Sequence, residues 1–486
     1  MKIKIVLHTA GLILLVEAFL MLLPAFVGFI YQERSSALTF LASAAITAAA
    51  GGLMLLAKSS GANIYAREGF IIVGISWILL SFFGCLPFVI SRQIPALADA
   101  FFETVSGFTT TGASILTDIE ALDKSMLFWR SFTHWVGGMG ILVFGMIIIP
   151  LGGKRSMHLL RAESPGPSSS KLVPKMRDTA RILYSLYIGL SLLLLILLMA
   201  GGMPLYDSLI NVFGTAGTGG FSNHGASIAY FDSEYFEVVI GVFMLLFGVN
   251  FNLYYLMVLR HARAALKSEE LHWYLGITAF AVITIAININ SLYENFHQAV
   301  RYSFFQVASI ITTTGFATAD FDLWPQYSRT VIVVLMMIGA CAGSTGGGLK
   351  VSRIILLVRS AGRGLRRMLQ SKSVEHVRFE GRIIEEETVS TCMVYLTVYV
   401  LTAIAGVIII SLDNQSFETN VTAVLSCLNN IGPGLGMVGP VGNFASFSTL
   451  SKIVLSFDML AGRLEFFPVL LLFAPSTWRQ GILYHK

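Results

Sequence analysis

Composition, the spacing of apolar runs and one recurring Thr–Gly segment predict an all-α membrane protein. It has ten transmembrane helices, eight in four pseudo-symmetric helix–short segment–helix repeats and two extra helices before them. Hydrophobic residues make up 55% of the 486-residue chain and charged residues only 13%, against about 25% in a soluble domain. Stretches long enough to cross a bilayer, about 20 residues each, run near 5–31, 37–57, 69–91, 126–151, 182–203, 236–259, 273–290, 329–358, 388–411 and 450–474. The first follows Lys2 and Lys4 as a signal peptide would, but it is too long for that apolar region and no clear cleavage site follows, so a retained helix is expected.

Orientation follows from the basic residues, which stay cytoplasmic in short loops. With the N-terminus inside, the inner segments hold 25 of the 33 Lys and Arg residues. The outer segments hold mainly acids: Asp99, Glu103, Asp118, Glu120, Asp123, Asp207, Asp232, Glu234, Glu237, Asp320, Asp322, Asp413 and Glu418. Both termini are then cytoplasmic. An outer face rich in carboxylates attracts cations, unless these are simply solvated acidic loops. The net charge of +5 reflects topology and does not indicate a nucleic-acid partner. Cys85, Cys341, Cys392 and Cys427 lie in or beside apolar runs without pairing or metal-ligand spacing, so neither a disulfide nor a thiolate metal site is expected.

Between outer ends of spans lie four segments too long for turns and too short to cross. GFTTTGAS at 107–114 returns as IITTTGFA at 310–317, and two looser copies can be superposed by their last glycines: SGFTTTG at Gly112, GTAGTGG at Gly220, SIITTTG at Gly315 and LNNIGPG at Gly434. Pro95 and Pro204, with Asp99 and Asp207 thirteen residues before their glycines, mark helix starts. Each segment therefore reads as a short re-entrant helix running inward to a Thr/Gly stretch. Irregular backbone at membrane depth is tolerated only where it is buried in protein or lines a water-filled cavity. Four such strands around an axis can replace a cation's hydration shell with carbonyl oxygens, and the short helices would aim their negative ends at the same place. The candidate lining is Thr110, Thr111 and Gly112; Thr218, Gly219 and Gly220; Thr313, Thr314 and Gly315; and Gly432, Pro433 and Gly434.

With these motifs, and with RSFTHWVGGMGI at 130–141, GACAGSTGGGLKVSRI at 339–354 and DMLAGRLEFFP at 458–468, the chain resembles the Trk/Ktr/HKT superfamily of potassium transporters, and within it the bacterial Trk branch, over nearly its whole length. The resemblance implies two extra N-terminal helices (1–60) and pore repeats at 61–155, 175–262, 270–360 and 385–486. It also implies a bacterial inner-membrane location, potassium at the strand carbonyls as substrate, and a potassium-selective pattern at Gly112, where some plant relatives with Ser pass sodium. The fourth motif, Ile431–Gly432–Pro433–Gly434, departs from Thr-Thr-Thr-Gly and breaks exact fourfold symmetry.

The run at 329–358 is interrupted at mid-membrane by a glycine-rich stretch. By the resemblance this is an intramembrane gating loop, with Gly343, Ser344, Thr345, Gly346, Gly347, Gly348, Lys350 and Arg463 as the gate residues; close helix packing through small residues is the alternative. It is not a phosphate-binding loop, since Leu349 occupies the lysine position and no strand precedes it. Arg463 is expected to face the gating loop, or else to pair with Asp458 or Glu465; Glu17 is similarly open. His134 and Trp135 are expected only to pack or hydrogen-bond beside Gly137, Gly138 and Gly140. Segment 359–387 reads as a solvated, headgroup-binding loop, and the resemblance adds a homodimer carrying cytosolic TrkA-type nucleotide-binding regulatory subunits. The chain itself has no dinucleotide-binding fingerprint and no cofactor is expected in it; no nucleophile–base pair or metal motif points to an enzyme. Channel-like potassium uptake is the expected function, with a proton- or sodium-coupled symporter as the alternative.

Overall fold

In a computed structural model, residues 3–57, 66–140, 176–370 and 375–478 are described, and they are almost wholly helical. Among them six helices are long and apolar enough to cross a membrane: Ile3–Ile30, Arg34–Leu55, Glu68–Ile90, Ala180–Ala200, Glu269–Leu292 and Glu386–Asp413. The first of these is packed against the second. It pairs with Arg34–Leu55 where Gly11 and Gly51 meet, so closely that a Cβ on either would lie 2.7–2.8 Å from the other's carbonyl oxygen, the small-residue contact that lets helices approach in lipid. The turn between these two helices also supports the start of a later helix. Both oxygens of Glu33 accept from the backbone N–H groups of Lys124 and Ser125 at 2.8 and 2.9 Å, satisfying orphan donors at the start of helix Lys124–Gly138.

Three of the expected spans are not continuous helices. The run at 236–259 bends by 90° between Glu234–Phe247 and Phe251–Val258. The groups freed at this break find partners in the glycine-rich stretch: Cys341 N–H donates to the Gly248 carbonyl at 3.1 Å and Phe251 N–H to that of Gly343 at 3.0 Å. The run at 329–358 divides into Gln326–Ile338 and Val351–Leu369. The last run divides into Thr449–Arg463 and Phe467–Phe473, because Glu465 and Phe466 take φ of +56° and +64°, which no helix accommodates. Of the expected span 126–151, only the part to Gly140 lies within the described residues.

Four shorter helices match the re-entrant segments: Leu97–Phe108, Leu205–Gly217, Phe296–Ile311 and Phe417–Asn429. Their lengths of 12 to 16 residues correspond to about 18–24 Å of rise, short of a hydrocarbon core of about 30 Å. Asp99 and Asp207 lie in first turns as expected, while Asn295 and Ser416 cap the other two through their side chains. After helix Val351–Leu369, Arg378–Phe379 and Arg382–Ile383 form a two-stranded hairpin. Glu380 at its tip accepts from Ser268 Oγ at 2.7 Å and from Glu270 N–H at 3.1 Å, capping the start of helix Glu269–Ile289.

Candidate pore ring and gating loop

All four short helices end in the same way. The chain turns left-handed at Thr110, Thr218, Thr313 and Asn430, with φ of +58°, +55°, +59° and +55°. The next N–H then reaches back five residues: Thr111 to the Ser106 carbonyl, Gly219 to Gly214, Thr314 to Ser309 and Ile431 to Ser426, all at 2.8–3.0 Å. This is the closure of a Schellman-type cap. One residue later the chain returns to positive φ at Gly112, Gly220, Gly315 and Gly432 (+81°, +70°, +83° and +103°), where glycine alone is unstrained.

That repetition corrects the register of the fourth segment. The sequence superposition put Gly434 opposite the other glycines; the backbone puts Gly432 there and gives the strand as Asn430–Ile431–Gly432. Pro433 lines the outer cavity, and Gly434 lies beyond it, buried against Thr422 with its N–H donating to the Val438 carbonyl at 2.6 Å. The superposition failed because the motif holds two glycines, and backbone angle, not position as the last glycine, decides which one turns.

The four strands touch in cyclic order. A Cβ on Gly112 would collide with the Gly219 carbonyl oxygen, one on Gly220 with that of Thr314, one on Gly315 with that of Ile431, and one on Gly432 would lie 2.8 Å from that of Thr111. The ring thereby closes on itself. Asn430 fastens the last joint by donating to Thr111 Oγ1 at 3.0 Å and to the Met459 carbonyl at 2.9 Å. Thr111 and Thr314 pair their hydroxyls with Thr109 and Thr312 at 2.8 Å; Thr218 Oγ1 donates to the Gly217 carbonyl at 2.6 Å. Above the ring lies a cavity of about 240 Å³ lined by all four glycines and by Asp118, Glu120, His224 and the 438–444 loop. Several other acids of the segments expected outside are ion-paired: Lys452 holds Asp99 at 2.7 Å, Arg301 holds Glu237 at 3.0 Å, and Arg329 bridges Asp322 and Glu418 at 3.0 and 2.5 Å. Glu103 is fully buried against Arg130 at 2.6 Å. Five of the acids assigned to the outer segments are thus ion-paired, while Asp118 and Glu120 remain among the residues that line the cavity.

Directly against the inner side of the ring sits the glycine-rich loop. Gly347 N–H donates to Thr313 Oγ1 at 2.7 Å, and a Cβ on Gly346 would lie 2.9 Å from the Thr312 carbonyl. Arg463 reaches the loop as expected, donating to the Thr345 carbonyl at 2.8 Å and to the carbonyls of Gly137 and Gly138 at 2.5 and 2.8 Å. Glu465 instead pairs with Arg353 at 2.6 Å. Lys350 is buried and its Nζ donates to the Gly346 carbonyl; Ser344 Oγ donates to the Cys341 carbonyl at 2.7 Å. Gly343 and Gly348 take φ of +73° and +75°.

Sequence reasoning missed several supports. Glu270 is buried and one carboxylate oxygen accepts from both ends of the loop, Ala342 N–H at 2.8 Å and Ser352 N–H at 3.1 Å. His134 packs and hydrogen-bonds as expected, but its partners are distant: Nδ1 bonds the Gly107 carbonyl at 2.7 Å, and its ring stacks on Phe221 at 4.2 Å and fills the space at Gly219. The available signal was the placement of charged and imidazole side chains within otherwise apolar helices.

Comparisons with known proteins agree with this architecture. Residues 36–480 match the family model TrkH, described as a cation transport protein. The chain is 35% identical to the Trk system potassium uptake protein TrkH of Salmonella typhimurium, covering 99% of this chain and 100% of that one. It is 30% identical to TrkG of Escherichia coli K12 over 98% and 99% of the two. The crystal structure of the potassium transporter TrkH from Vibrio parahaemolyticus superposes with a TM-score of 0.89 at 30% identity, over 99% and 100%. This multi-pass membrane protein belongs to the TrkH family of cation transport proteins.

Proposed function

We propose that the chain carries potassium into a bacterial cell across the inner membrane by a channel-like route. The carbonyls of residues 110–112, 218–220, 313–315 and 430–432 would select the ion, and loop 343–348, with Lys350 and Arg463, would gate the path. The carrying observation is the closed cyclic contact of four glycines with four neighbouring carbonyls. A ring that leaves no room for side chains presents backbone oxygen alone, the ligand that suits a dehydrated monovalent cation. The relatives named above are potassium uptake proteins, not enzymes. The four repeats at 61–155, 175–262, 270–360 and 385–486 would be the units of the pore, following helices 1–60. Helix Val351–Leu369 and the hairpin after it would form the inner face on which TrkA-type nucleotide-binding subunits dock on a homodimer; nucleotide would act only through them.

A coupled symporter is the second reading, and one observation favours it. Glu17 is fully buried with both oxygens lacking a hydrogen-bond partner among the described residues, and Asp458 has one such oxygen. Purified protein in liposomes decides between them. Potassium influx exceeding sodium influx, and unchanged by a pH or sodium gradient, is expected; influx that follows either gradient establishes the symporter, and no potassium flux from either the wild type or a folded variant lacking part of 343–348 refutes both.

A further inference from the structure

Behind the ring, the four strands are not held alike. In strands three and four the serine at the equivalent position of the short helix ties the strand to it: Ser309 Oγ donates to the Phe316 carbonyl at 2.6 Å and Ser426 Oγ to the Gly432 carbonyl at 2.7 Å. In strand one the equivalent hydroxyl, Ser106, is buried with no hydrogen-bond partner among the described residues. In strand two the position is Gly214, which has no side chain. Two of the four strands thus lack this tether.

The gap is filled by a buried ion pair. Glu103, three residues before Ser106, accepts from Arg130 Nε at 2.6 Å and from Ser114 Oγ at 2.9 Å on one oxygen, and from Ile115 N–H at 2.9 Å on the other. Arg130 in turn donates through Nη1 to the Ser222 carbonyl at 3.0 Å and lies over the Phe221 ring at 3.5 Å. Ser114 and Ile115 follow Gly112, and Phe221 and Ser222 follow Gly220. One pair therefore grips the outer ends of both untethered strands, and both side chains are at most 2% exposed.

We propose that Glu103 and Arg130 are specificity-determining positioning residues. They fix the spacing of strands one and two in place of the missing serine tethers, and so set the preference for potassium over sodium without touching the ion. This rests on the proposed ring of carbonyl ligands. The ring distinguishes two ions of one charge only while its geometry or its number of ligands is held, and a strand freed at its outer end can adjust to the smaller ion. The pair's charges cancel, so a uniform attraction for cations is not its contribution.

The test measures potassium and sodium influx separately in liposomes for the wild type, Glu103→Gln, Arg130→Lys and Phe221→Leu, each first shown to elute as folded protein. Glu103→Gln weakens the grip on both strands, and the potassium-to-sodium ratio should fall about tenfold while total cation influx persists. Arg130→Lys keeps the charge but cannot span Glu103 and the Ser222 carbonyl together, and should fall part of the way. Phe221→Leu keeps the hydrogen bonds of the pair and removes the aromatic face shared by the guanidinium and the His134 ring; it should shift the ratio slightly in the same direction, and serves if Glu103→Gln does not fold. An unchanged ratio in every folded variant, with only the amount of influx or folded protein reduced, makes the pair a structural strut and overturns the proposal. A wild type that shows no preference for potassium would instead sink the reading of the ring itself.

Discussion

The ring and the loop beneath it are both buried, glycine-rich and irregular, yet they are held in opposite ways. Each ring strand is fixed by the end of its own helix, through a left-handed residue and an N–H that reaches back five positions, repeated four times. The loop at 340–350 is held largely by distant residues: Thr313 from the ring, Glu270 from the next-door span, Gly248 from the broken span and Arg463 from the last repeat. The inner end of such a strand, next to its own cap, is rigid wherever its helix is rigid. A loop held by separate partners can be released by losing one of them, so one kind of backbone suits selection and the other suits switching.

The contrast is broken most strongly at the ring. Gly112→Ser must place a side chain where the Gly219 carbonyl oxygen stands, at a φ of +81°. Relative sodium influx should rise by about tenfold or more, equivalent to about 1.4 kcal/mol between two bound ions. Unchanged relative influx in the folded variant would remove Gly112 from the selective element.

At the loop the effect should be smaller and of another kind. Arg463→Ala, or deletion of part of 343–348, takes away a link between the loop and the first repeat. Potassium influx without any regulatory subunit should rise several-fold while the potassium-to-sodium ratio stays put, because a gate alters how many molecules conduct and a filter alters which ion binds. Lower influx in folded protein would make the loop a packing element.

The smallest change sharpens the boundary between the two regions. Thr313→Val leaves the Gly347 N–H without its acceptor, a loss of about 1–3 kcal/mol for a buried donor. Faster amide exchange at Gly347 and a modest rise in basal influx are expected, non-additive with Arg463→Ala; strict additivity would mean that the two contacts do not hold the same closed arrangement.

Much of this was legible in the sequence because it is local. Thr110–Gly112 and Thr313–Gly315 share residue types as well as spacing, and a short apolar helix before each is sufficient to find them. The fourth strand was misregistered because Asn430 and Ile431 replace threonines and a second glycine follows. The breaks at Gly248 and Leu464 were invisible for a different reason: their freed backbone groups are satisfied, or their turns made, in a three-dimensional setting that periodicity does not encode. Glu103 was read as an outer carboxylate since sequence gives its side of the membrane but not its partner, Arg130, 27 positions away.

The joint between Asn430 and Thr111 joins residues 319 positions apart, and it has a meaning for biogenesis. The fourth strand follows Phe417–Asn429 near the end of the chain, so until that helix has been made the ring lacks its closing member. An unfinished molecule is therefore expected to be electrically silent, sparing the cell a leak during every round of synthesis. Chains ending before Phe417, inserted into vesicles, should carry no selective potassium current, and a selective current from them would show that three strands suffice.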